Sequence, residues 1–190
     1  MIENKIRKIE VLDIRVPTSK TGLGSDPFHT NPDYSAVVTI ITTETGKQGL
    51  SIVFTCGLGN EWILYGIKQL SLLVEGYLID EFIEFPGTIY KKLINHPQLR
   101  WLGDGVFRMA VGGIINAMWD LWGAIEKKPM WELILEMSTK KLIESIDWRY
   151  LKDIITTEEV SEMIASKKHL HQERKSKLEK KGIAAYMTVG

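Results

Sequence analysis

The sequence has little of what a disulfide-stapled or membrane-spanning protein needs. It holds one cysteine, Cys56, among 190 residues, so an internal disulfide is excluded and a reducing compartment is indicated. No apolar run approaches the ~20 residues that cross a bilayer, and residues 1–10 lack the apolar core of a signal peptide. We therefore expect no membrane partner and a cytoplasmic location, with mitochondria as the alternative for a eukaryotic chain.

The chain also has no excess of charge of either sign. Lys plus Arg number 24 and Asp plus Glu number 24, whereas proteins that bind nucleic acid through phosphate contacts need a basic surplus. We therefore expect no nucleic-acid partner. What the chain does contain is 44% hydrophobic residues, with six tryptophans and seven methionines. This composition is typical of a folded domain with a sizeable core.

Three segments near the start of the chain carry strand signals. Residues 5–15 alternate between apolar and polar side chains, with an irregularity expected near Ile9. Residues 34–43 and 49–55 are rich in β-branched side chains, and Gly46 between them indicates a hairpin turn. The pattern predicts a three-stranded antiparallel meander.

A long connection, residues 16–33, joins the first two predicted strands. It contains Pro17, Gly22, Gly24, Pro27 and Pro32. Loops of this length inside a compact domain are often functional or mobile. Composition alone leaves a plain surface loop as an equal alternative.

Helical signals dominate the rest of the chain. Apolar periodicity and proline positions predict helices over residues 60–77, 86–95, 105–127, 129–137 and 156–181. Thr156 and Glu159 form a capping box, and Gly182 ends the last helix. Residues 145–151 and 183–189 are predicted as extended segments. The fold class is therefore α+β, a three-stranded antiparallel meander followed by a helical bundle.

Residues 56–61 form a glycine-containing turn between a predicted strand and a predicted helix, a context in which backbone amides can bind phosphate. The turn lacks the third glycine of a dinucleotide fingerprint, and Glu61 at the helix start would repel an anion. We favour a tight strand-to-helix turn. An enzyme that binds a nucleotide or phosphate is the minor alternative.

Two pairs resemble sites but have simpler explanations. His169 and His171 are at i and i+2 of a predicted helix, where two imidazoles cannot share a metal ion. Lys175 and Lys177 resemble a catalytic K-x-K motif, but they lie in a polar helix and are predicted on a solvated face.

The predicted helix over residues 105–127 carries one further polar pair. Asn116 and Asp120 lie four residues apart, one helical turn, and are predicted as a buried hydrogen-bonded pair. No spacing in the chain indicates a Ser/His/Asp, Cys/His or metal-ligand arrangement. Composition and spacing alone therefore yield no catalytic residues.

Several strings in the sequence match a known family. They include Pro17-Thr18-Ser19, Gly24-Ser25-Asp26, Pro32-Asp33-Tyr34-Ser35, Gln98-Leu99-Arg100-Trp101-Leu102-Gly103 and Trp119-Asp120-Leu121-Trp122. With them the chain resembles, over essentially its whole length, the N-terminal region of the L-fuconate dehydratases. These are sugar-acid dehydratases of the enolase superfamily.

The resemblance implies a division of the chain and a reaction. Residues 1–140 would be the capping domain, and residues 141–190 a linker, a helix and the first strand of a truncated (β/α) barrel. The family reaction is the Mg²⁺-dependent dehydration of L-fuconate to 2-keto-3-deoxy-L-fuconate. Its K-x-K motif, metal ligands and His/Asp pair would all lie beyond Gly190, so we expect no Mg²⁺ ligand and no catalytic residue in this chain.

The resemblance also implies substrate-binding residues. Gly24, Ser25 and Asp26 in the first loop and Tyr34 at its end would contact the sugar acid, and residues 56–61 would form the second loop of a lid over the barrel. The chain is then expected to be inactive alone. The alternative is a non-catalytic interaction module that docks on a full-length relative or associates as a homo-oligomer.

Overall fold

The computed structural model describes residues 4–25, 27–30 and 33–183. Three strands form one antiparallel sheet in the order β1–β2–β3: β1 (Ile6–Arg15), β2 (Ser35–Thr43) and β3 (Gln48–Thr55). The predicted meander is thus confirmed. The irregularity of β1 lies between Ile6 and Lys8, earlier than expected.

Eight α-helices follow the sheet in the described part of the chain. They are α1 (Asn60–Ser71), α2 (Ile79–Glu84), α3 (Pro86–Ile94), α4 (Val106–Glu126), α5 (Met130–Glu136), α6 (Thr139–Ser145), α7 (Thr157–Lys167) and α8 (His171–Lys181). The α+β class is therefore confirmed. None of the helices in the described part of the chain is both long and apolar enough to cross a membrane.

The inner face of the sheet packs against α1 and α4, and small residues set the distance. A Cβ added to Gly49 of β3 would lie 2.2 Å from the carbonyl oxygen of Ala117 in α4. On the helix side, a Cβ added to Gly113 would lie 2.9 Å from Cδ1 of Ile67 in α1. The core therefore forms where two elements approach more closely than larger residues permit.

An aromatic cluster joins α2 to α4. The ring centroids of Trp119 and Trp122 lie 5.1 Å apart and are stacked, and both rings meet the buried Phe82 edge-on. By contrast, none of the helices α6, α7 and α8 contains a fully buried residue. The packed core therefore lies in the first two thirds of the chain.

Two helix boundaries differ from the sequence prediction. The helix predicted over residues 60–77 ends at Ser71, and Gly76 then donates its backbone N–H to the carbonyl oxygen of Ile6 in β1 at 2.8 Å. The helix predicted over residues 156–181 is interrupted by a 3₁₀ turn, Lys168–Leu170, although its capping box at Thr156 is confirmed.

The prediction of an extended segment over residues 145–151 is wrong. Residues up to Ser145 belong to α6, whose start is capped by the Ser138 side chain. Asp147 then accepts the backbone N–H of Arg149 and opens a 3₁₀ turn, Trp148–Tyr150. Short polar side chains that bond to their own backbone favour such turns over strands.

Parts of the expected last strand and of the first loop lie outside the described residues. Ile183 is described and exposed and belongs to no strand, whereas residues 184–190 lie outside. Asp26 also lies outside, so its predicted contact stays a prediction. The proposed division of the chain at residue 140 stays a prediction as well.

Candidate functional site

The candidate site lies at one end of the sheet. In the strand register Arg15 is paired with Ser35, and Ser35 is paired with Thr55. The loop over residues 16–34 and the turn over residues 56–59 therefore leave the sheet side by side. These are the two segments that the family resemblance implies as a lid. We call this end of the sheet, together with both segments, the lid end.

Tyr34 and Gly24 are brought into direct contact. The Tyr34 hydroxyl donates a hydrogen bond to the carbonyl oxygen of Gly24 at 3.0 Å, and a Cβ added to Gly24 would lie 2.1 Å from that hydroxyl oxygen. The φ angle of Gly24 is +73°, a left-handed conformation that favours glycine. Phe54 of β3 meets the Tyr34 ring edge-on, with centroids 5.2 Å apart. These two predicted residues thus form one structural unit.

Ser25 belongs to the same loop but directs its hydroxyl inward. Its Oγ donates to the carbonyl oxygen of Gly22 at 2.8 Å. The hydroxyl therefore supports the turn around Gly24, and Ser25 itself stays exposed. A substrate that approached this loop would meet the backbone of residues 24–25 and the phenol of Tyr34.

The loop is fastened where it leaves the sheet. The backbone N–H of Tyr34 donates to Thr18 Oγ1 at 3.1 Å, and the N–H of Val16 donates to the Tyr34 carbonyl oxygen at 2.8 Å. Asp33 accepts hydrogen bonds from the Ser19 backbone and hydroxyl, which lower the pKa of the Asp33 carboxyl. These bonds fix the loop at its base and leave its tip exposed.

The second predicted loop is a strand-to-helix turn, as favoured from the sequence. The N–H of Gly57 donates to the Ser35 hydroxyl at 2.8 Å, and a Cβ added to Gly57 would lie 2.9 Å from the Asp33 carbonyl oxygen. Because that amide is already bonded and Glu61 follows in the first turn of α1, the turn does not present the amide cradle that phosphate binding needs.

A charged network beneath the lid end was missed from the sequence. The Arg15 guanidinium donates to both carboxylate oxygens of Asp13, at 2.9–3.0 Å, and also to Glu61 of α1. The fully buried Asn60 donates to Asp13 and accepts from Thr55 Oγ1 at 2.9 Å. The hydrogen bonds from Arg15 lower the pKa of Asp13 despite its partial burial. The only local signal was the i, i+2 spacing that puts Asp13 and Arg15 on one strand face.

The described residues do not fit a magnesium site. No group of three or more His, Cys, Asp or Glu side chains within residues 4–25, 27–30 and 33–183 could hold a metal ion. Of the described carboxylates at or beneath the lid end, Asp33 accepts hydrogen bonds from Ser19, and Asp13 and Glu61 both bind Arg15, whose charge opposes that of a cation. The lid end is thus suited to contact a polar ligand through hydrogen bonds and not to coordinate a metal.

Two other sequence predictions are corrected. Asn116 is exposed, and Asp120 does not pair with it but accepts the backbone N–H of Leu50 in β3 at 2.8 Å. Lys175 does not lie on a free solvated face, since its Nζ lies 2.5 Å from Glu132 and 3.7 Å from Glu136 of α5. Both residues join helices to other elements, which local spacing cannot reveal.

A cavity of about 830 Å³ lies between α5, α6 and α7. Its walls are mostly apolar and include Trp131, Leu142 and Met163, and none of the predicted substrate-binding residues lines it. It is therefore separate from the lid end.

Known proteins resemble this chain over nearly all of it. The human protein "Mitochondrial enolase superfamily member 1" is 36% identical over 193 residues, which cover 99% of this chain and 43% of the relative. The "L-galactonate dehydratase" of Hypocrea jecorina is 32% identical over 191 residues, 99% of this chain and 42% of that enzyme. No family model matches the chain. The chain thus spans less than half the length of these curated relatives.

Solved structures give the same result at the level of the fold. The crystal structure of human mitochondrial enolase superfamily member 1 superposes with a TM-score of 0.87 and 35% identity, over 93% of this chain and 41% of that one. L-Talarate/galactarate dehydratase from Salmonella typhimurium LT2 superposes with a TM-score of 0.54 at 15% identity, over 75% and 40%, and shows the fold alone. The chain has the fold of the N-terminal domain of the enolase superfamily.

Proposed function

We propose that these residues are the substrate lid of a sugar-acid dehydratase of the enolase superfamily, with L-fuconate as the preferred substrate class. The supporting observation is the contact between Tyr34 and Gly24 at the end of the sheet where both loops emerge. One curated relative, at 32% identity, is named an L-galactonate dehydratase, which supports a sugar acid as the ligand.

The lid would bind its ligand through a few polar groups beside an aromatic surface. A sugar acid carries several hydroxyls, and the Tyr34 phenol oxygen, whose own hydrogen is donated to the Gly24 carbonyl oxygen, can accept a hydrogen bond from one of them. The backbone around Gly24 offers further polar groups, because residues 22–25 are exposed. A concave site with a few convergent polar groups is what small polar ligands require.

Residues other than the described ones would carry out the dehydration itself. Solved relatives include an enolase from Bradyrhizobium complexed with magnesium and mandelic acid, so we infer that the complete catalytic unit uses Mg²⁺. The lid residues would orient the substrate and exclude water, while acid–base residues and metal ligands would come from a barrel. The 190-residue chain alone is accordingly inactive.

A chimera tests this function. The region of Hypocrea jecorina L-galactonate dehydratase that aligns with this chain would be replaced by this chain, and 2-keto acid formation from L-galactonate and L-fuconate would be measured with Mg²⁺. We expect an active chimera that prefers L-fuconate, and no turnover by the 190-residue chain alone.

Variants of the chimera locate the lid contact. Tyr34→Phe removes one hydroxyl and is expected to raise KM about tenfold, the order of a lost hydrogen bond to a neutral group. The matched control is Tyr65→Phe, since Tyr65 is an exposed tyrosine on α1. Equal kinetics for the two variants in a folded chimera would contradict the proposed role of Tyr34, and turnover by the chain alone would contradict the division of labour.

A further inference from the structure

Five residues at the lid end are joined by one continuous series of hydrogen bonds. The backbone N–H of Gly57 donates to Ser35 Oγ at 2.8 Å, and Ser35 Oγ in turn is bonded to Thr55 Oγ1. Thr55 Oγ1 donates to Asn60 Oδ1 at 2.9 Å, and Asn60 Nδ2 donates to the Asp13 carboxylate. We call this series the loop-base chain.

The direction of every bond in the loop-base chain is fixed by the carboxylate at its end. Hydrogen bonds from Arg15 lower the pKa of the Asp13 carboxyl, which favours the ionised form. An ionised carboxylate only accepts, so the amide nitrogen of Asn60 faces Asp13 and the amide oxygen faces Thr55. The single hydroxyl hydrogen of Thr55 then points to that oxygen, and the hydrogen between Ser35 and Thr55 comes from Ser35. All donors therefore point toward Asp13, an arrangement in which each bond strengthens the next.

The middle of the loop-base chain is shielded from water. Asn60 is fully buried and Ser35 is 3% exposed, and Gly57 is buried as well. A buried donor or acceptor that loses its partner has no water to replace it, so breaking one link is costly. The links are therefore expected to hold or to open together.

The loop-base chain includes a residue from each base of the two lid segments. Asp13 lies near the end of β1, before the loop over residues 16–34, and Ser35 is the first residue of β2, directly after that loop. Thr55 is the last residue of β3 and Asn60 is the first residue of α1, so these two residues flank the turn over residues 56–59. Side-chain hydrogen bonds thus join all four bases to one another.

We infer that Thr55 is a positioning residue that, through Ser35 and Asn60, holds the two lid segments as one unit. Ser35 directly follows Tyr34, and its hydroxyl accepts the N–H of Gly57 in the other segment. A ligand that contacts both segments then meets them at a fixed separation and does not have to order them on binding, which favours affinity. The inference rests on the proposed lid function and adds to it the groups that align the lid.

Two variants of Thr55 test the inference in the chimera described above. Thr55→Val keeps the branched shape and strand preference of threonine but has no hydroxyl, whereas Thr55→Ser, the matched control, keeps the hydroxyl. We expect Thr55→Val to raise KM about tenfold and to change kcat less than twofold, because a loosened lid loses binding that ground state and transition state share. Thr55→Ser should leave both constants within about twofold of those of the unaltered chimera.

Amide hydrogen exchange of the 190-residue chain measures the link between the segments without catalysis. Thr55→Val is expected to speed exchange of the Gly57 N–H at least fivefold, because the Ser35 hydroxyl loses its acceptor and its bond to Gly57 weakens. Exchange of the α4 amides should stay unchanged. Thr55→Ser should leave the exchange of Gly57 close to that of the wild type.

The two measurements separate failure of this inference from failure of the proposed function. Equal Gly57 exchange in the two variants, or a parallel increase in α4, overturns the inference whether or not the chimera is active. Faster Gly57 exchange in Thr55→Val with an unchanged KM would make the loop-base chain purely structural and overturns the positioning role. A chimera without turnover refutes the proposed lid function and the effect on KM with it, while Gly57 exchange still reports whether the two segments are joined.

Discussion

At the scale of single residues, two glycines in the first loop allow the cost of backbone strain to be distinguished from the cost of a side-chain clash. Gly22 and Gly24 both adopt left-handed φ, +67° and +73°, but only Gly24 lies against Tyr34. Alanine costs about 1 kcal/mol of backbone strain at either position. At Gly24 the methyl group would also displace the Tyr34 ring.

We predict that Gly24→Ala lowers the free energy of unfolding by about 2 kcal/mol and Gly22→Ala by about 1 kcal/mol. Urea denaturation measures the difference. The near-ultraviolet circular dichroism of tyrosine should change only in Gly24→Ala. Identical behaviour of the two variants would show that the Tyr34–Gly24 contact contributes nothing to the loop.

The titration of Asp147 should change the free energy of unfolding. Hydrogen bonds from Arg149, with one from Tyr90 of α3 at 3.1 Å, lower the pKa of Asp147 from 3.8 to about 2. The folded chain therefore holds this proton less tightly than the unfolded chain. The contribution of the ionised Asp147 carboxylate to the free energy of unfolding is therefore complete above pH ~4 and is lost as the pH falls from ~4 to ~2.

We predict that Asp147→Asn lowers the free energy of unfolding by about 1–2 kcal/mol at pH 6 and by less at pH 3. Urea titrations at the two pH values provide the test. The exposed Asp153 gives the control, because Asp153→Asn should shift both values by less than about 0.5 kcal/mol. If Asp147→Asn lowered the free energy of unfolding equally at both pH values, the lowered pKa of Asp147 would be contradicted.

At the scale of elements, the contact between β3 and α4 depends on missing side chains. A Cβ on Gly49 would lie 2.2 Å from a helix carbonyl oxygen, a rigid backbone atom that cannot move aside alone. A Cβ on Gly112, on the same helix, would meet nothing within 4 Å. Substitution by alanine is therefore expected to change the stability of the protein in opposite directions at Gly49 and Gly112.

We expect Gly49→Ala to destabilise the protein by about 3 kcal/mol or more, because the helix must retreat from the sheet. Gly112→Ala should stabilise it by about 0.5–1 kcal/mol through helix propensity. Thermal unfolding of the two variants beside the wild type measures both. A neutral Gly49→Ala would mean that the sheet and helix are less closely packed than described.

The elements predicted correctly from the sequence are those with a local signal. Alternation and Gly46 predicted the meander, and apolar periodicity predicted α4. Residues 145–151 were predicted wrongly because Ile, Trp and Tyr favour strands, whereas the decisive Asp147 bond is to the backbone of Arg149. The Arg15 network joins β1 to α1, and such a contact across 46 positions leaves no trace in local spacing.

At the scale of the whole molecule, stability is uneven along the chain. Among the described residues, the buried hydrophobic side chains lie between Ile6 and Leu133, and α7 and α8 bury none. Helices without buried anchors open locally at low cost. The capping box at Thr156 fixes the start of α7.

We predict that amides of α7 and α8 exchange with deuterium at least tenfold faster than those of α4. Thr156→Ala should raise exchange in α7 by about fivefold, the order of a lost N-cap of ~1 kcal/mol, without changing exchange in α4. Thr157→Ala is the control, since Thr157 is the first residue of α7 and provides no cap. Parallel increases in α4 would show that the chain unfolds as one unit.

The bond from Leu50 to Asp120 has a consequence for how the molecule behaves in a crowded solution. β3 is an edge strand, and an open edge is a template on which other chains can polymerise into fibrils. Asp120 accepts the N–H of Leu50, the third residue of β3, and on the opposite edge the Tyr77 carbonyl oxygen accepts the N–H of Ile6, the first residue of β1. An incoming strand would have to displace a carboxylate on one side and a backbone bond on the other. These two contacts therefore hinder the addition of a strand at one position of each edge.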